Sequence, residues 1–142
     1  MKVTSRERAA LRTMVELAQR AGEGPTPLGQ VALAQDLSLA YLEQVVPGLR
    51  DAGLIISVRG AHGGYRLARP AHAISVGDVF RAVEDVLVPV DCVRGDGSAC
   101  SRQAMCATRT VWTVLSRRIG ETLDATSLAD VIDMPQAAPT EE

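Results

Sequence analysis

Aromatic side chains are scarce: Tyr41, Tyr65, Phe80 and Trp112 are all the chain has. Its core must therefore be aliphatic, which suits packed helices, and a hydrophobic fraction of 46% supplies enough of it. Long apolar runs are missing too, with none approaching the roughly 20 residues needed to cross a bilayer. The opening Met1-Lys2-Val3-Thr4-Ser5 leads into a charged amphipathic stretch rather than a signal peptide, so a cytoplasmic protein with no membrane partner is expected. No Ser/His/Asp arrangement, paired acid site or phosphate loop is present, and no enzymatic activity is expected. There is no internal repeat, and 142 residues make one domain or one domain with a small appendage.

Lysine is nearly absent. Lys2 is the only one, and arginine supplies the remaining positive charge. Arginine suits planar, bidentate contacts to phosphate and guanine, although a genomic base-composition bias gives the same excess. The net charge of −2 is unevenly placed: residues 1–69 hold nine basic and six acidic side chains, residues 70–142 six and eleven. The front half, at +3, can face phosphate, while the back half, at −5, keeps the chain soluble.

Periodicity then places the elements. Thr4-Ser5-Arg6-Glu7 reads as a capping box, followed by Ala10, Leu11, Met14, Val15, Leu17 and Ala18 at helical spacing. This helix ends near Gly22–Pro25. Thr26-Pro27, an N-cap and a first-turn proline, opens a short helix with Leu28, Val31 and Ala32 inward. Asp36-Leu37-Ser38 makes a tight turn, and Ser38 caps a third helix with Leu42, Val45, Leu49 and Ala52 inward. Pro47 should kink it or loosen a turn, and Gly53 stops it. Residues 54–59 and 65–67 read as two strands around the glycine-rich tip Gly60-Ala61-His62-Gly63-Gly64. After Pro70, Ile74-Ser75 opens a helix with Val76, Val79, Phe80 and Val83 on one face. A loop over 88–103 leads to a long helix carrying Ala104, Thr108, Val111, Trp112, Leu115, Ile119 and Leu123, and Thr126-Ser127-Leu128 caps a last short turn.

Three helices, a tight turn between the second and third, and a two-stranded wing make a winged helix-turn-helix. The fold class is mostly α with a small β-wing and a long C-terminal dimerisation helix. The expected layout is a DNA-binding domain at 1–86, a cysteine loop and dimerisation helix at 87–131, and a disordered tail at 132–142. Ser38, Ala40, Tyr41, Glu43 and Gln44 sit near the start of the third helix, where such proteins enter the major groove. Gln can pair with adenine and Glu can accept from cytosine. Glu43, repelled by phosphate without a cytosine donor, can act as a negative discriminator. Arg50 belongs to the same helix. On the wing, Arg59, Gly60, Gly63, Gly64 and Tyr65 leave little bulk, so arginine and backbone can approach a narrow minor groove. A solvated surface hairpin explains the wing alone; with the helices ahead of it, DNA binding is favoured. His62 and His72 read as exposed, and Trp112 as a core or dimer-face residue.

Cys92, Cys100 and Cys106 are spaced C-x7-C-x5-C and occur nowhere else. The spacing is not the paired C-x2-C of a zinc ribbon, and an odd count argues against a disulfide framework. Three thiolates on one loop can converge on a soft metal or an iron–sulfur cluster. Unrelated free thiols, or a thiol redox pair with a spare, are the alternatives.

The chain resembles the IscR/NsrR/CymR-type winged-helix regulators of bacteria over about residues 1–131. The resemblance rests on Met1-Lys2-Val3-Thr4, on Leu37-Ser38-Leu39-Ala40-Tyr41-Leu42-Glu43-Gln44, on Leu49-Arg50-Asp51-Ala52-Gly53-Leu54 and on Val58-Arg59-Gly60-Ala61-His62-Gly63-Gly64-Tyr65. It implies homodimers joined by their long C-terminal helices, binding imperfectly palindromic double-stranded DNA operators, mostly as repressors. It implies an iron–sulfur cluster, 2Fe–2S or 4Fe–4S, on Cys92, Cys100 and Cys106. A branch without the cysteines regulates sulfur metabolism through a protein partner. The alternative is therefore a cluster-free regulator that senses oxidants through its thiols or answers to such a partner. The first cysteine gap here, seven residues, is longer than the family's usual spacing. Arg109 also stands where the family carries a ligating His, and it cannot bind iron. The candidates for a fourth ligand are Asp91, Asp96, Ser101, an external thiol or water, and Glu7 of a partner subunit.

Overall fold

Thr4 opens the first helix as its sequence signature requires. Its hydroxyl accepts from the Glu7 amide at 3.1 Å, and the Glu7 carboxylate accepts from the Thr4 amide at 2.6 Å. The computed structural model describes residues 3–84 and 105–136. In chain order it contains α1 (Ser5–Gln19), α2 (Leu28–Gln35), α3 (Leu39–Asp51), β1 (Ile55–Val58), β2 (Gly64–Leu67), a 3-10 turn (Ala71–Ala73), α4 (Val76–Val83), α5 (Arg109–Ala125) and α6 (Leu128–Asp133). The two strands pair antiparallel with Ile55 opposite Leu67 and Val58 opposite Gly64. The expected loop over 88–103, the helical position Ala104 and the end of the expected tail lie outside the described residues.

The core is aliphatic. Ala10, Met14, Val31, Leu42, Leu49, Val79, Ile74 and Leu128 are wholly enclosed, and Phe80 is the one aromatic among the buried residues. Helix α1 supplies the centre: α2, α3, β2, α4 and α6 all pack on it. Asp36 ends α2 in the left-handed region at φ 50°, Ser38 then caps α3 by accepting from the Tyr41 amide at 3.3 Å, and Gly53 leaves α3 at φ +73°. Ser75 and Ser127 cap α4 and α6 through capping boxes with Asp78 and Asp130.

Three expectations are corrected. Thr26 does not cap α2. Pro27 holds the cap position without a side-chain bond, while Thr26 is 4% exposed and pairs with Tyr65 as a short extra strand, N···O 2.9 and 2.8 Å. Tertiary pairing to the wing outweighs the local cap preference. Ala52, expected inward, is the exposed C-cap of α3. Helix α3 continues past Pro47, the expected site of a kink or loosened turn, where the proline cannot donate to the Glu43 carbonyl. Next to it, Gly48 lets α3 lie against α4, since a Cβ there would stand 2.6 Å from the Ala82 carbonyl oxygen. Thr108, expected within the long helix, is its N-cap position.

A polar clasp holds α2 to α1. Arg12 donates to the Gln35 side chain at 3.1 Å and to the Gln35 carbonyl, at the open end of α2. Glu16, 8% exposed, accepts from Arg20 at 2.6 Å and from Gln35 at 2.7 Å. Burial alone would push the Glu16 carboxyl up. Hydrogen bonds from Arg20 and Gln35, with the charge of Arg20, outweigh it and hold the group below the usual glutamate value. A carboxyl depressed in the folded state stabilises above its unfolded pKa, about 4.3, and loses that contribution as pH falls through its folded pKa. Glu16→Gln should therefore cost about 1–2 kcal/mol at pH 7. Thermal melts of both proteins should converge as the pH is lowered to 3; an undiminished gap there contradicts the assignment.

Candidate nucleic-acid interface

The turn Asp36–Ser38 sets α3 across α2, and the first residues of α3 project from the molecule. Ser38, Ala40, Glu43 and Gln44 are exposed on it, as the sequence predicts for a reading face. Tyr41 differs: it is half-buried and packs on the core. Arg50 lies in the last turn, about 18 Å along the helix axis from Ser38, where it pairs with neighbouring Asp51 at 3.8 Å. Two further features escaped sequence reasoning. Leu39, the first residue of α3, is 43% exposed beside the polar residues. Arg6 of α1 reaches the Gln44 carbonyl at 3.5 Å, bringing a guanidinium to the same face. Neither has a periodic signal, since Arg6 is 38 residues distant in sequence.

The wing presents Arg59, Gly60 and His62 to solvent. Its glycines divide into two kinds. Gly60, at φ +118°, faces open space. Gly63 and Gly64 are needed internally: a Cβ on Gly63 would overlap the Val58 carbonyl, and one on Gly64, at φ +153°, would overlap the Thr26 backbone. The low bulk at these two positions thus serves the hairpin and its seat on Thr26. Tyr65 is half-buried, with its amide and carbonyl both committed to Thr26.

Of the three cysteines, Cys106 lies within the described residues; Cys92, Cys100, Asp91, Asp96 and Ser101 lie outside them. Cys106 is half-buried in a turn just ahead of α5, with its sulfur 3.2 Å from the Thr108 hydroxyl. Hydrogen bonds from the Thr108 side chain and amide, then those of Arg109 and its charge, pull the thiol below its usual value. Glu7 is 2% exposed and occupied by its capping box. Among the described residues no group of three His, Cys, Asp or Glu side chains could hold a metal ion, and no helix is long and apolar enough to cross a membrane.

A capped recognition helix behind a tight turn, backed by a two-stranded wing, defines a winged helix-turn-helix regulator that binds DNA. The chain belongs to the Rrf2 family: the model described as an iron-dependent transcriptional regulator matches residues 3–134. It is 42% identical to the HTH-type transcriptional regulator IscR of Aliivibrio salmonicida, over 93% of this chain and 77% of that one. It is 39% identical to protein rrf2 of Nitratidesulfovibrio vulgaris, over 93% and 87%. The solved structure of CymR, described as the global cysteine regulator of B. subtilis, superposes with a TM-score of 0.78 at 39% identity, covering 93% of this chain and 96% of that one. These relatives include named regulators of transcription, not enzymes.

The seat of the wing is directly testable. Gly64→Ala should destabilise the protein by about 1–3 kcal/mol, through backbone overlap and a strained φ. Gly53→Ala, at a positive φ with open space around it, should cost less. Denaturant midpoints that rank the two the other way would remove the internal role given to Gly64.

Proposed function

We propose that this chain is a homodimeric repressor whose grip on an imperfectly palindromic operator is set by an iron–sulfur cluster on Cys92, Cys100 and Cys106. The carrying observation is α5. It contains no buried residue, yet Val111, Val114 and Leu115 are 59%, 41% and 40% exposed on it. Such a stripe calls for a cover, and a twofold copy of the same helix supplies one. Trp112 and Ile119, half-buried on their own subunit, flank it. Cys106 stands at the foot of this helix, so whatever the thiols hold acts at the dimer contact.

The donor set suits the group. Thiolates are the usual ligands of iron–sulfur clusters, and hydrogen bonding at Cys106 already favours the thiolate form. Such a cluster would supply oxidant or iron sensitivity at this point. Glu7 would have to leave its capping box to serve as fourth ligand, which favours Asp91, Asp96 or Ser101. The cytoplasm is the compartment consistent with a regulator of transcription. The likeness to CymR, described as a cysteine regulator, favours a second reading: a cluster-free protein that senses oxidants by thiol chemistry, or answers to a protein partner in sulfur metabolism.

Anaerobic purification separates the two. Charge-transfer absorption with stoichiometric iron and sulfide, lost on replacing any one of the three cysteines by Ala, is expected from the first. A colourless wild type contradicts it. The variants should remain folded dimers with the same altered operator affinity, and light scattering showing a monomer at micromolar concentration would sink the dimer.

Readout by the DNA-facing residues separates in the same way. Arg59→Ala should weaken binding at every operator by about 1–3 kcal/mol. Glu43→Ala should relax specificity, improving binding to non-cognate duplexes. Uniform losses for Glu43→Ala across all sequences would contradict its role as discriminator.

A further inference from the structure

Helix α5 meets the DNA-binding unit along α4, and the contact there is closely fitted. The segments entering α4 and α6 pair as a short antiparallel bridge, with the Val76 amide on the Thr126 carbonyl at 2.8 Å and the Leu128 amide on the Ile74 carbonyl at 2.9 Å. Beside the bridge, a methyl on Gly77, in the first turn of α4, would overlap the Asp124 carboxylate of α5 as it stands. Asp124 accepts instead from Arg81 at 2.8 Å. The same Arg81 nitrogen reaches Asp78 Oδ1 at 3.2 Å, and Asp78 Oδ2 lies 3.8 Å from Arg69. Arg69 follows β2 by two residues, where the wing returns to the body. Four charges of alternating sign thus run from the end of α5 to the base of the wing.

We propose that Asp124, Arg81, Asp78 and Arg69 are positioning residues that transmit the placement of α5 to the wing, so that a shift of α5 alters how the wing meets DNA. The ion pairs are weak as stabilisers: their side chains are 33–52% exposed, and Asp78, Arg81 and Asp124 line an open cleft of about 590 Å3. Their value lies in geometry. The backbone bridge and the Gly77 slot fix Asp124 relative to α4, and each partner then leaves its neighbour one favourable direction. Asp78 is held twice, since its carboxylate also accepts from the Ser75 amide at 3.0 Å, and it cannot follow Arg69 away without uncapping α4. The inference rests on the DNA-binding reading and not on the cluster.

The test uses the full-length protein with 3-fluorotyrosine, which reports on Tyr65 in the wing and Tyr41 on α3 without any DNA. Asp124→Asn removes the charge at one end. Gly77→Ala displaces the same carboxylate while raising helix propensity, so it acts without weakening the fold. Both should move the Tyr65 resonance and leave that of Tyr41. On duplexes selected by the wild type from random DNA, both should weaken binding about threefold, the size such pairs carry. In an Arg69→Gln background neither should have any further effect on the Tyr65 signal or on affinity. Additive losses, or an unmoved Tyr65 resonance, overturn the linkage. Failure of the wild type to select any duplex would overturn DNA binding itself, and the fluorine signals would still judge the linkage.

Discussion

Close packing around α1 is the constraint on which the rest depends. Its inward positions include the small residues Ala9, Ala10 and Thr13, each no more than 2% exposed. Small side chains let neighbouring helices approach until their larger aliphatic groups interlock, and interiors packed to that density deform little. Thr13 satisfies its hydroxyl on the Ala9 carbonyl at 2.8 Å and so adds no polar cost. With α1 fixed, α2 is held by the Arg12 and Glu16 clasp, α3 by its turn, and α4 by the Gly48 approach. The exposed face of α3 is a by-product of that packing, which buries Leu42, Val45, Val46 and Leu49 and leaves the other side of the helix outward.

Local signals were legible in the sequence wherever one element's chemistry sufficed. The Thr4–Glu7 capping box, the Ser38 cap, the Gly53 stop and the paired strands all follow from neighbours within a few residues, and each stands where its residues place it. The errors arose where distant chain intervened. Thr26 looks like a cap and is a strand residue, because Tyr65 offers it two backbone hydrogen bonds. Gly64 reads as clearance for DNA, and the room it leaves is also needed by the Thr26 backbone, which no local pattern announces. Arg6, Arg12 and Glu16 carry no local sign of their partners, which lie on α2 and α3. A pattern search sees spacing within an element and cannot see which side chain stands opposite.

Stability and function divide the molecule unevenly. Among the described residues, those up to Val83 supply nearly all of the buried apolar set, and Leu128 is its one member beyond α4. Helix α5 contributes no buried residue. Its apolar stripe stays exposed on the single chain. The buried set is thus nearly complete without α5, and what settles that helix has little influence on whether the core folds.

The Thr26–Tyr65 pairing also bears on the DNA. It fastens the wing to the entry of α2, while the clasp and turn fasten α2 to α3. The hairpin and the reading helix are in this way both tied to one element, α2, and what moves α2 moves both. Where a duplex does not match their spacing, base steps that bend or narrow easily would ease the fit even at positions no side chain touches.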